Sequence, residues 1–279
     1  MSGVDELIRV VQSALSFEGA TFLAQGGQKS VLKGTLSGQP AVAKVVLIPE
    51  GPSGIIARER AYREVELLSA VDSDHVVGVL TDVVEITEPT TALCWAEEYL
   101  GGVDLSATLS CRWTEDEVWK FLWDMANALE ACHSLRVVHR DLSPGNIRKL
   151  ENGQYVLMDP GLAKHLTKTA LTGNFQPGTD GYRSPEHTPG ASPLPASDIF
   201  SLGILAFYAL TGTFPIDPSG VDYQNHLRES QAPSLATLDP TLDPELIRII
   251  DRCLEKQPSR RFLDGNELLV ELRGAKEFK

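Results

Sequence analysis

The chain has 279 residues, a length suited to one large domain or to two lobes that share an interface. With 42% hydrophobic residues it can bury a sizeable core, and 23% charged residues is ordinary for a soluble globular protein. The formal net charge of -13 argues against a nucleic-acid partner and against an anionic membrane, because both attract basic surfaces.

The first part of the chain is predicted to be rich in strands. Apolar residues at helical spacing predict a short helix over residues 4–15, and a charged amphipathic helix is expected over 55–71. Short β-type runs predict strands at 21–23, 30–36, 41–48, 76–86 and 91–97. We therefore assign residues 1–18 to an N-terminal helical extension and residues 19–98 to a small β-rich lobe.

The second part, residues 99–279, is predicted to be helical. Thr114 and Glu117 form a capping-box pattern that opens one helix, and the pair Asp243-Pro244 opens another as N-cap and first-turn residue. A buried helix is expected over 198–210 and a last helix over 265–273, with a loop region at 139–195. A β-rich half followed by a helical half predicts an α+β architecture.

The cysteines indicate neither a zinc site nor a disulfide framework. They show no CxxC spacing and no partnering histidine cluster; they are Cys94, Cys111, Cys132 and Cys253. No apolar h-region opens the chain, and the longest apolar run, residues 199–210, is too short to span a bilayer. A reducing, cytoplasmic compartment is therefore the expected location.

The strongest chemical signal lies in the predicted loop region. Residues 139–146 have the sequence H-R-D-L-S-P-G-N, and D-P-G follows at residues 159–161. This resembles the catalytic loop and the metal-binding motif of the protein kinase family. The resemblance implies that Asp141 orients a substrate hydroxyl, and that Asn146 and Asp159 hold Mg²⁺ on the phosphates of ATP.

A second motif places a lysine on a predicted strand. Residues 41–44, A-V-A-K, are similar to the family's V-A-I-K, whose lysine contacts the ATP phosphates. The resemblance gives Lys44 a glutamate partner on the next helix, and Glu64 has the expected spacing. Glu66 is the competitor, but it lies about 200° around the helix from Glu64, so only one of the two can face the cleft.

Residues 178–186, G-T-D-G-Y-R-S-P-E, resemble the end of a kinase activation segment, the platform for a peptide substrate. The resemblance implies that Thr179 bonds to the catalytic aspartate, as in Ser/Thr kinases, and that Glu186 of the platform pairs with Arg261. It also implies that Asp198 supports the catalytic loop from behind. Both Glu186 and Asp198 are expected to be structural supports, not reactants.

The resemblance further implies a nucleotide site and phosphorylation sites. The expected cofactors are ATP and Mg²⁺, and the nucleotide-binding residues are Gly26, Lys29, Val31, Val42, Lys44, Glu97 and Glu98. Because kinases with an arginine at Arg140 often use it to hold a phosphate, the candidate phosphosites are Thr167, Thr169 and Thr172. A solvated threonine-rich loop is the alternative for that segment.

Five positions depart from the family pattern: Ala24, Lys29, Ser143, Arg148 and Pro160. Lys29 stands at a glycine position of the phosphate-covering loop. Either it supplies the charge missing at Ser143, where the family has a lysine, or it points to water from an exposed turn. Arg148 stands where an aliphatic residue floors the adenine pocket. It is expected to stack on the base, to pair with Glu97 or Glu98, or to lie one residue out of register.

The motifs together cover roughly residues 20–272 and imply a two-lobed α+β protein-kinase-like fold around an ATP cleft. The implied activity is transfer of the γ-phosphate of ATP to Ser/Thr hydroxyls of a protein substrate, and a regulatory protein partner is a further expectation. One alternative is a pseudokinase that binds a nucleotide or a partner without transfer. Another is a small-molecule kinase, against which the platform at 178–186 argues.

Overall fold

The computed structural model of the chain describes residues 3–26, 29–88, 90–159, 181–186, 194–220 and 222–277. The chain divides into two compact units, Met1–Asp72 with Val77–Gly101 and Ser73–Val76 with Gly102–Lys279. The main division, between residues 101 and 102, falls close to the predicted lobe boundary at 98 and 99. The first unit is built on a sheet and the second mainly from helices, as the α+β prediction requires.

The N-terminal unit contains a five-stranded antiparallel sheet with strand order β1-β2-β3-β5-β4. Its described elements are α1 Gly3–Leu15, β1 Phe17–Gly26, β2 Lys29–Leu36, β3 Gln39–Leu47, α2 Pro52–Ala70, β4 Val84–Ile86 and β5 Ala92–Glu98. Pro52 is the first residue of α2. At this position a backbone N–H would have no hydrogen-bond partner within the helix, so proline, which lacks that N–H, costs nothing there. The helices predicted over residues 4–15 and 55–71 are confirmed as α1 and α2.

Alternate residues of the strands build a separate core cluster on each side of the sheet. One cluster includes residues of α1 and joins Val11, Leu15, Leu32, Ala43 and Cys94. The other includes residues of α2 and joins Val46, Ala57, Ala61, Val65 and Trp95. Fully burying one such aliphatic side chain contributes about 1.5 to 3 kcal/mol, so both helices are fixed mainly by packing.

The strand predicted at 76–86 is wrong over most of its length. Only Val84–Ile86 forms a strand, and the earlier part makes two isolated bridges, of Val76 to Leu157 and of Val79 to Glu97. Val76 belongs to the C-terminal unit and Val79 to the N-terminal unit. The chain therefore changes units within the segment, and one continuous ladder cannot form.

The C-terminal unit is mainly helical, with a small three-stranded sheet in the order β6-β7-β8. Its described elements are β6 Val103–Asp104, α3 Leu105–Thr108, α4 Glu115–Ser134, β7 Ile147–Lys149, β8 Tyr155–Leu157, α5 Pro195–Thr211, α6 Tyr223–Glu229, α7 Leu235–Leu238, α8 Pro244–Cys253 and α9 Gly265–Ala275. Short 3₁₀ turns lie at Pro144–Asn146 and Pro258–Arg260. No helix among the described residues combines the length and apolar character needed to cross a membrane.

Four described helices of this unit have an N-terminal side-chain cap, supplied by Thr114, Ser234, Asp243 and Asp264. Thr114 accepts a hydrogen bond from Glu117 N, as predicted, and Asp243 accepts one from Glu245 N. Asp264 caps α9, whose first residue, Gly265, lies against the backbone of α4. A Cβ atom at Gly265 would lie 2.2 Å from the backbone nitrogen of Glu130, so glycine permits the close approach of the two helices.

Candidate active site

The loop that carries Asp141 is held by one buried carboxylate, that of Asp198 on α5. Its Oδ2 accepts a hydrogen bond of 2.7 Å from His139 N, and its Oδ1 accepts one of 2.9 Å from Arg140 N. Arg140 has a φ of 66°, a left-handed conformation that is unfavourable for a residue with a Cβ. Bonds to an ionised acceptor offset this strain, and the supporting role predicted for Asp198 is confirmed.

His133, at the end of α4, is a further group of this network that the sequence analysis missed. Its Nδ1 accepts a hydrogen bond of 3.0 Å from Gly265 N, so the proton lies on Nε2, which donates to Asp198 Oδ2 at 3.1 Å. Burial alone would raise the pKa of Asp198, but the bonds from His133 and from the loop backbone hold that pKa below its usual value. Asp198 is therefore ionised at neutral pH.

The ring of His139 joins the catalytic loop to the segment that precedes Asp159. Its Nδ1 accepts a hydrogen bond of 3.4 Å from Asp141 N, and its Nε2 donates to Met158 O at 2.9 Å. The ring is fully buried, so both bonds are protected from water. The backbone just before Asp159 is therefore fixed relative to Asp141.

Asn146, a predicted metal ligand, bonds to Asp141, the predicted catalytic carboxylate. Its Nδ2 donates to Asp141 O at 2.7 Å and to Asp141 Oδ2 at 3.3 Å. Its backbone oxygen accepts a hydrogen bond of 2.8 Å from Met158 N, which brings the next residue, Asp159, alongside it. The structure thus joins Asp141 to Asn146 through a side-chain hydrogen bond, and joins Asn146 to Met158, the residue before Asp159, through the backbone.

The predicted pair of Glu186 and Arg261 is present and bidentate. Arg261 Nη1 donates to Glu186 Oε1 at 2.7 Å, and Nη2 donates to Oε2 at 2.9 Å. The remaining donors of the guanidinium bond to the backbone oxygens of Glu255, Lys256 and Ala196. The acceptors around this buried position therefore need the five donors of a planar guanidinium group. The three donors of a lysine ammonium group could not serve all of them.

We expect Arg261→Lys to lower the free energy of unfolding by about 2 to 4 kcal/mol, because the ammonium group keeps the charge but leaves two acceptors without donors, each at a cost of about 1 to 3 kcal/mol. Arg260→Lys, at an exposed neighbour, is the matched control and should change it by less than about 0.5 kcal/mol. Urea unfolding at neutral pH measures both. Equal effects of the two substitutions would contradict the structural role of Arg261.

The same pair predicts how stability depends on pH. Burial opposes ionisation of Glu186, but hydrogen bonds from Arg261 and from Ser197 Oγ, the latter 2.7 Å, hold its pKa below the usual value. A lowered folded-state pKa gives stability that is present above the unfolded pKa and lost as pH falls through the folded one. The pair therefore stabilises the unit at neutral pH and weakens in acid.

The nucleotide residues predicted in the N-terminal unit mostly share one face of the sheet. Val31 lies opposite Lys44, and Val42 lies opposite Glu97. Residues two apart on a strand point to the same side, which adds Lys29 to this face. It is the face that α2 covers, because Trp95 lies opposite Lys44 and belongs to the core cluster of that helix.

Two ion pairs on this face were not predicted from sequence, and the expected pair of Lys44 with Glu64 stays a prediction. Lys44 Nζ lies 2.7 Å from Glu97 Oε2, and Lys29 pairs with Glu64. The predicted inward direction of Glu64 does hold, since Glu64 is fully buried and Glu66 is exposed. Sheet register explains the pair of Lys44 with Glu97, because it places the Glu97 carboxylate on the same face as Lys44, one strand away.

Contacts within one unit are present for three further residues of the sequence analysis, Arg148, Glu98 and Gly26. Arg148 donates to Asp104 Oδ1 at 2.9 Å and to Gly102 O at 3.1 Å. These partners were not anticipated from sequence, and Asp104 is its cross-strand neighbour on β6. Glu98 accepts a hydrogen bond of 3.3 Å from Gly78 N, and the backbone of Gly26 pairs with Lys29 at the start of β2.

Several predicted site residues lie outside the described part of the chain. They are Pro160, Thr167, Thr169, Thr172 and Thr179. The phosphorylation sites and the contact of Thr179 with Asp141 therefore remain predictions.

Comparison with known proteins agrees with the motifs of both units. The family described as "Protein kinase domain" matches residues 17–266, and the chain belongs to that family. The kinase domain of Mycobacterium tuberculosis PknI superposes with a TM-score of 0.65 at 23% identity, over 94% of this chain and 98% of that one. Rad53, solved with AMP-PNP, gives 0.70 at 21% identity, over 91% of this chain and 64% of that one. The predicted two-lobed α+β kinase fold is thus confirmed.

The curated relatives carry names of bacterial kinases. Probable serine/threonine-protein kinase PknB of Lactococcus lactis is 29% identical over 257 residues, which is 90% of this chain and 40% of the relative. Serine/threonine-protein kinase PknA of Corynebacterium glutamicum is 32% identical over 256 residues, 89% of this chain and 54% of the relative. The chain therefore spans about half of these relatives or less.

Proposed function

We propose that the chain is an ATP-dependent protein kinase that transfers the γ-phosphate to Ser or Thr hydroxyls of a protein substrate. The observation that carries this proposal is the hydrogen-bonded pair of Asp141 and Asn146, on a loop held from behind by Asp198. Phosphoryl transfer depends mainly on positioning and on stabilising charge, and a carboxylate held in a fixed position serves both needs. Membership in the protein kinase domain family supports the assignment.

In this proposal Asp141 orients the attacking hydroxyl and accepts its proton. The bond from Asn146 Nδ2 to Asp141 Oδ2 limits rotation of the carboxylate, and the bond from Asp141 N to His139 Nδ1 fixes its backbone. A base held in one orientation needs no rearrangement when the substrate arrives. The hydrogen bonds of Asp198 to the loop support the same arrangement from the other side.

Asn146 and Asp159 would hold Mg²⁺. Because the amide nitrogen of Asn146 bonds to Asp141, its amide oxygen is the atom available as a ligand, and Asp159 would supply a carboxylate oxygen. Oxygen ligands of this kind, few in number and completed by phosphates, are those that Mg²⁺ prefers. When bound, the ion would neutralise charge on the phosphates of ATP.

A protein is the substrate that the rest of the C-terminal unit favours. The bidentate pair of Arg261 with Glu186 fixes the end of the segment that corresponds to the family's peptide platform. The preference for Ser and Thr rests on Thr179 and on the names of the relatives. A regulatory protein partner stays an expectation from sequence.

We also propose a cytoplasmic location. All four cysteines are free, and Cys111 among them is exposed. Free thiols persist in reducing compartments, so their presence supports the proposal.

A nucleotide-binding module without transfer is the second candidate. The departures from the family pattern at Ser143 and Arg148 favour it, because they alter positions expected to contact the transferred phosphoryl group and the adenine. The hydrogen-bonded pair of Asp141 and Asn146 argues for the enzyme, since a pure binding module needs no oriented base.

The test incubates the purified chain with radiolabelled ATP, Mg²⁺ and a peptide library that contains Ser, Thr and Tyr, followed by mass spectrometry of the products. We expect phosphate on Ser and Thr residues of the peptides. Binding of ATP without any transfer would support the second candidate. Transfer only to small molecules would contradict both.

A further inference from the structure

We propose that the side-chain amine of Lys256 is a modification site, which accepts an acyl group from an acyl phosphate. The site lies in the C-terminal unit, just after α8, where that part of the chain meets α5 and α6. No step of the proposed phosphoryl transfer uses this residue, so the inference goes beyond the proposed function. Its basis is a half-buried lysine that lies beside a second cation and has no carboxylate partner among the described residues.

The Nζ atom of Lys256 is held at the C-terminal end of α6. It donates a hydrogen bond of 2.6 Å to Leu227 O. Leu227 lies in the last turn of a helix that ends at Glu229, where backbone carbonyls lack N–H partners within the helix. A neutral amine or an amide can also donate to a carbonyl, so this bond fixes the nitrogen without requiring its charge.

Two cations lie close to the ring of Phe200 on α5. Arg261 Cζ is 4.6 Å from the ring centroid, and Lys256 Nζ is 5.9 Å from it. Arg261 Nη2 also donates to the backbone oxygen of Lys256 at 2.9 Å. In the described part of the chain, Glu186 is the carboxylate bonded to these cations, and both of its oxygens accept from Arg261. Lys256 therefore lies beside a like charge, and the nearby counter-ion belongs to its neighbour.

These surroundings favour the neutral amine. Burial lowers the pKa of Lys256 to about 8, and repulsion by Arg261 acts in the same direction. Glu255 precedes it in the chain, and Arg228 and Glu229 follow Leu227 on α6, but none of these described side chains forms an ion pair with Lys256. An ordinary lysine has a pKa of about 10.4, so its amine is almost wholly protonated at neutral pH.

An unprotonated amine that is only half-buried can act as a nucleophile. Its lone pair attacks the carbonyl carbon of the acyl phosphate, and the bond from that carbon to the phosphate oxygen breaks. Phosphate leaves with the proton that the nitrogen gives up, so the products are an amide and inorganic phosphate. An anionic donor suits a site with two adjacent cations. The amide keeps one N–H, which can still donate to Leu227 O.

The experiment incubates the purified chain with acetyl phosphate and measures the acetylation rate of each lysine by mass spectrometry. At about pH 7.5 roughly a quarter of the Lys256 amines should be neutral, against about one in a thousand for an ordinary lysine. A less basic amine is also a weaker nucleophile, which offsets part of this advantage. We expect Lys256 to react about tenfold faster or more than Lys276, whose ammonium group pairs with Asp116.

The chain unfolded in urea is the control, because it keeps the sequence around Lys256 and removes the contacts with Phe200, Arg261 and Leu227. The advantage of Lys256 over Lys276 should fall there to less than about twofold. The variant Lys276→Arg should leave the rate at Lys256 unchanged, since the two lysines have separate surroundings.

Equal rates at Lys256 and Lys276 in the folded chain would overturn the inference, and so would an advantage that persists in urea. The rate at Lys256 should level off above about pH 8, and a rate that still rises steeply near pH 10, about the pKa of an ordinary lysine, would also contradict it. None of these measurements requires ATP. Failure of the proposed kinase activity would therefore leave the inference standing, and failure of the inference would leave the proposed activity standing.

Discussion

Asp141→Asn is expected to slow phosphoryl transfer by roughly 10²- to 10⁴-fold, the range typical for loss of a positioned general base. The substitution keeps the size and shape of the side chain. An amide oxygen can still accept the bond of 3.3 Å from Asn146 Nδ2, so the loop should keep its geometry. The negative charge that orients the hydroxyl and accepts its proton is lost.

Single-turnover transfer to peptide and calorimetric Mg²⁺-ATP affinity together test this assignment. The rate should fall while the affinity changes by less than about threefold, because the proposed metal ligands Asn146 and Asp159 are unchanged. Asp82→Asn, the same change at an exposed position of the N-terminal unit, is the control and should leave both unchanged. A wild-type transfer rate in Asp141→Asn would refute the catalytic role of Asp141.

The contacts of the site that could be predicted from sequence are of two kinds. Their residues lie close together in the chain, or they lie in motifs that the protein kinase family shares. Asp141 and Asn146 are five residues apart on one turn, so their contact is largely local. Glu186 and Arg261 are distant in sequence, but each lies in a recognisable motif, and the family resemblance supplies the pairing. The helix caps at Thr114 and Asp243 follow from local backbone chemistry alone.

The ion pairs of the N-terminal unit could not be predicted in the same way. Which carboxylate meets Lys44 depends on the register of β3 with β5, and a shift of one residue would turn Glu97 to the other face. The motif around Lys44 contains no information about β5. Had the register been known, strand alternation would have placed Glu97 on the same face as Trp95 and Lys44, and so would have indicated the pair.

His133 illustrates a different limit. A histidine near the end of a helix has no distinguishing sequence feature, and most such residues only fill space in a core. Its role emerges from α9, whose Gly265 N donates to His133 Nδ1 and so fixes the proton on Nε2. Two helices and the N-terminus of a third must be assembled before this hydrogen bond to Asp198 exists.

Asp198→Ala is expected to have the largest effect on stability, a loss of about 3 to 5 kcal/mol in the free energy of unfolding. It leaves the amides of His139 and Arg140 and the Nε2 proton of His133 buried without their acceptor. Each such group costs about 1 to 3 kcal/mol. Asp198→Asn should lower the free energy of unfolding by less, because its amide oxygen can still accept a hydrogen bond from the loop. Some loss should remain, because its NH₂ group would face another donor.

The pH dependence distinguishes loss of the charge from loss of shape. The folded-state pKa of Asp198 is lowered from the usual value of 3.8, so its charge stabilises the fold above that pH and the contribution disappears as pH falls through the folded pKa. The difference in unfolding free energy between the unchanged protein and Asp198→Asn should be full at neutral pH and should shrink below about pH 4.

Asp243→Asn, which retains a good N-cap, is the matched control and should show only a small difference at neutral pH. Urea unfolding measured between neutral and acidic pH decides. A difference for Asp198→Asn that stayed constant across this range would mean that shape, and not the ionised carboxylate, supports the catalytic loop.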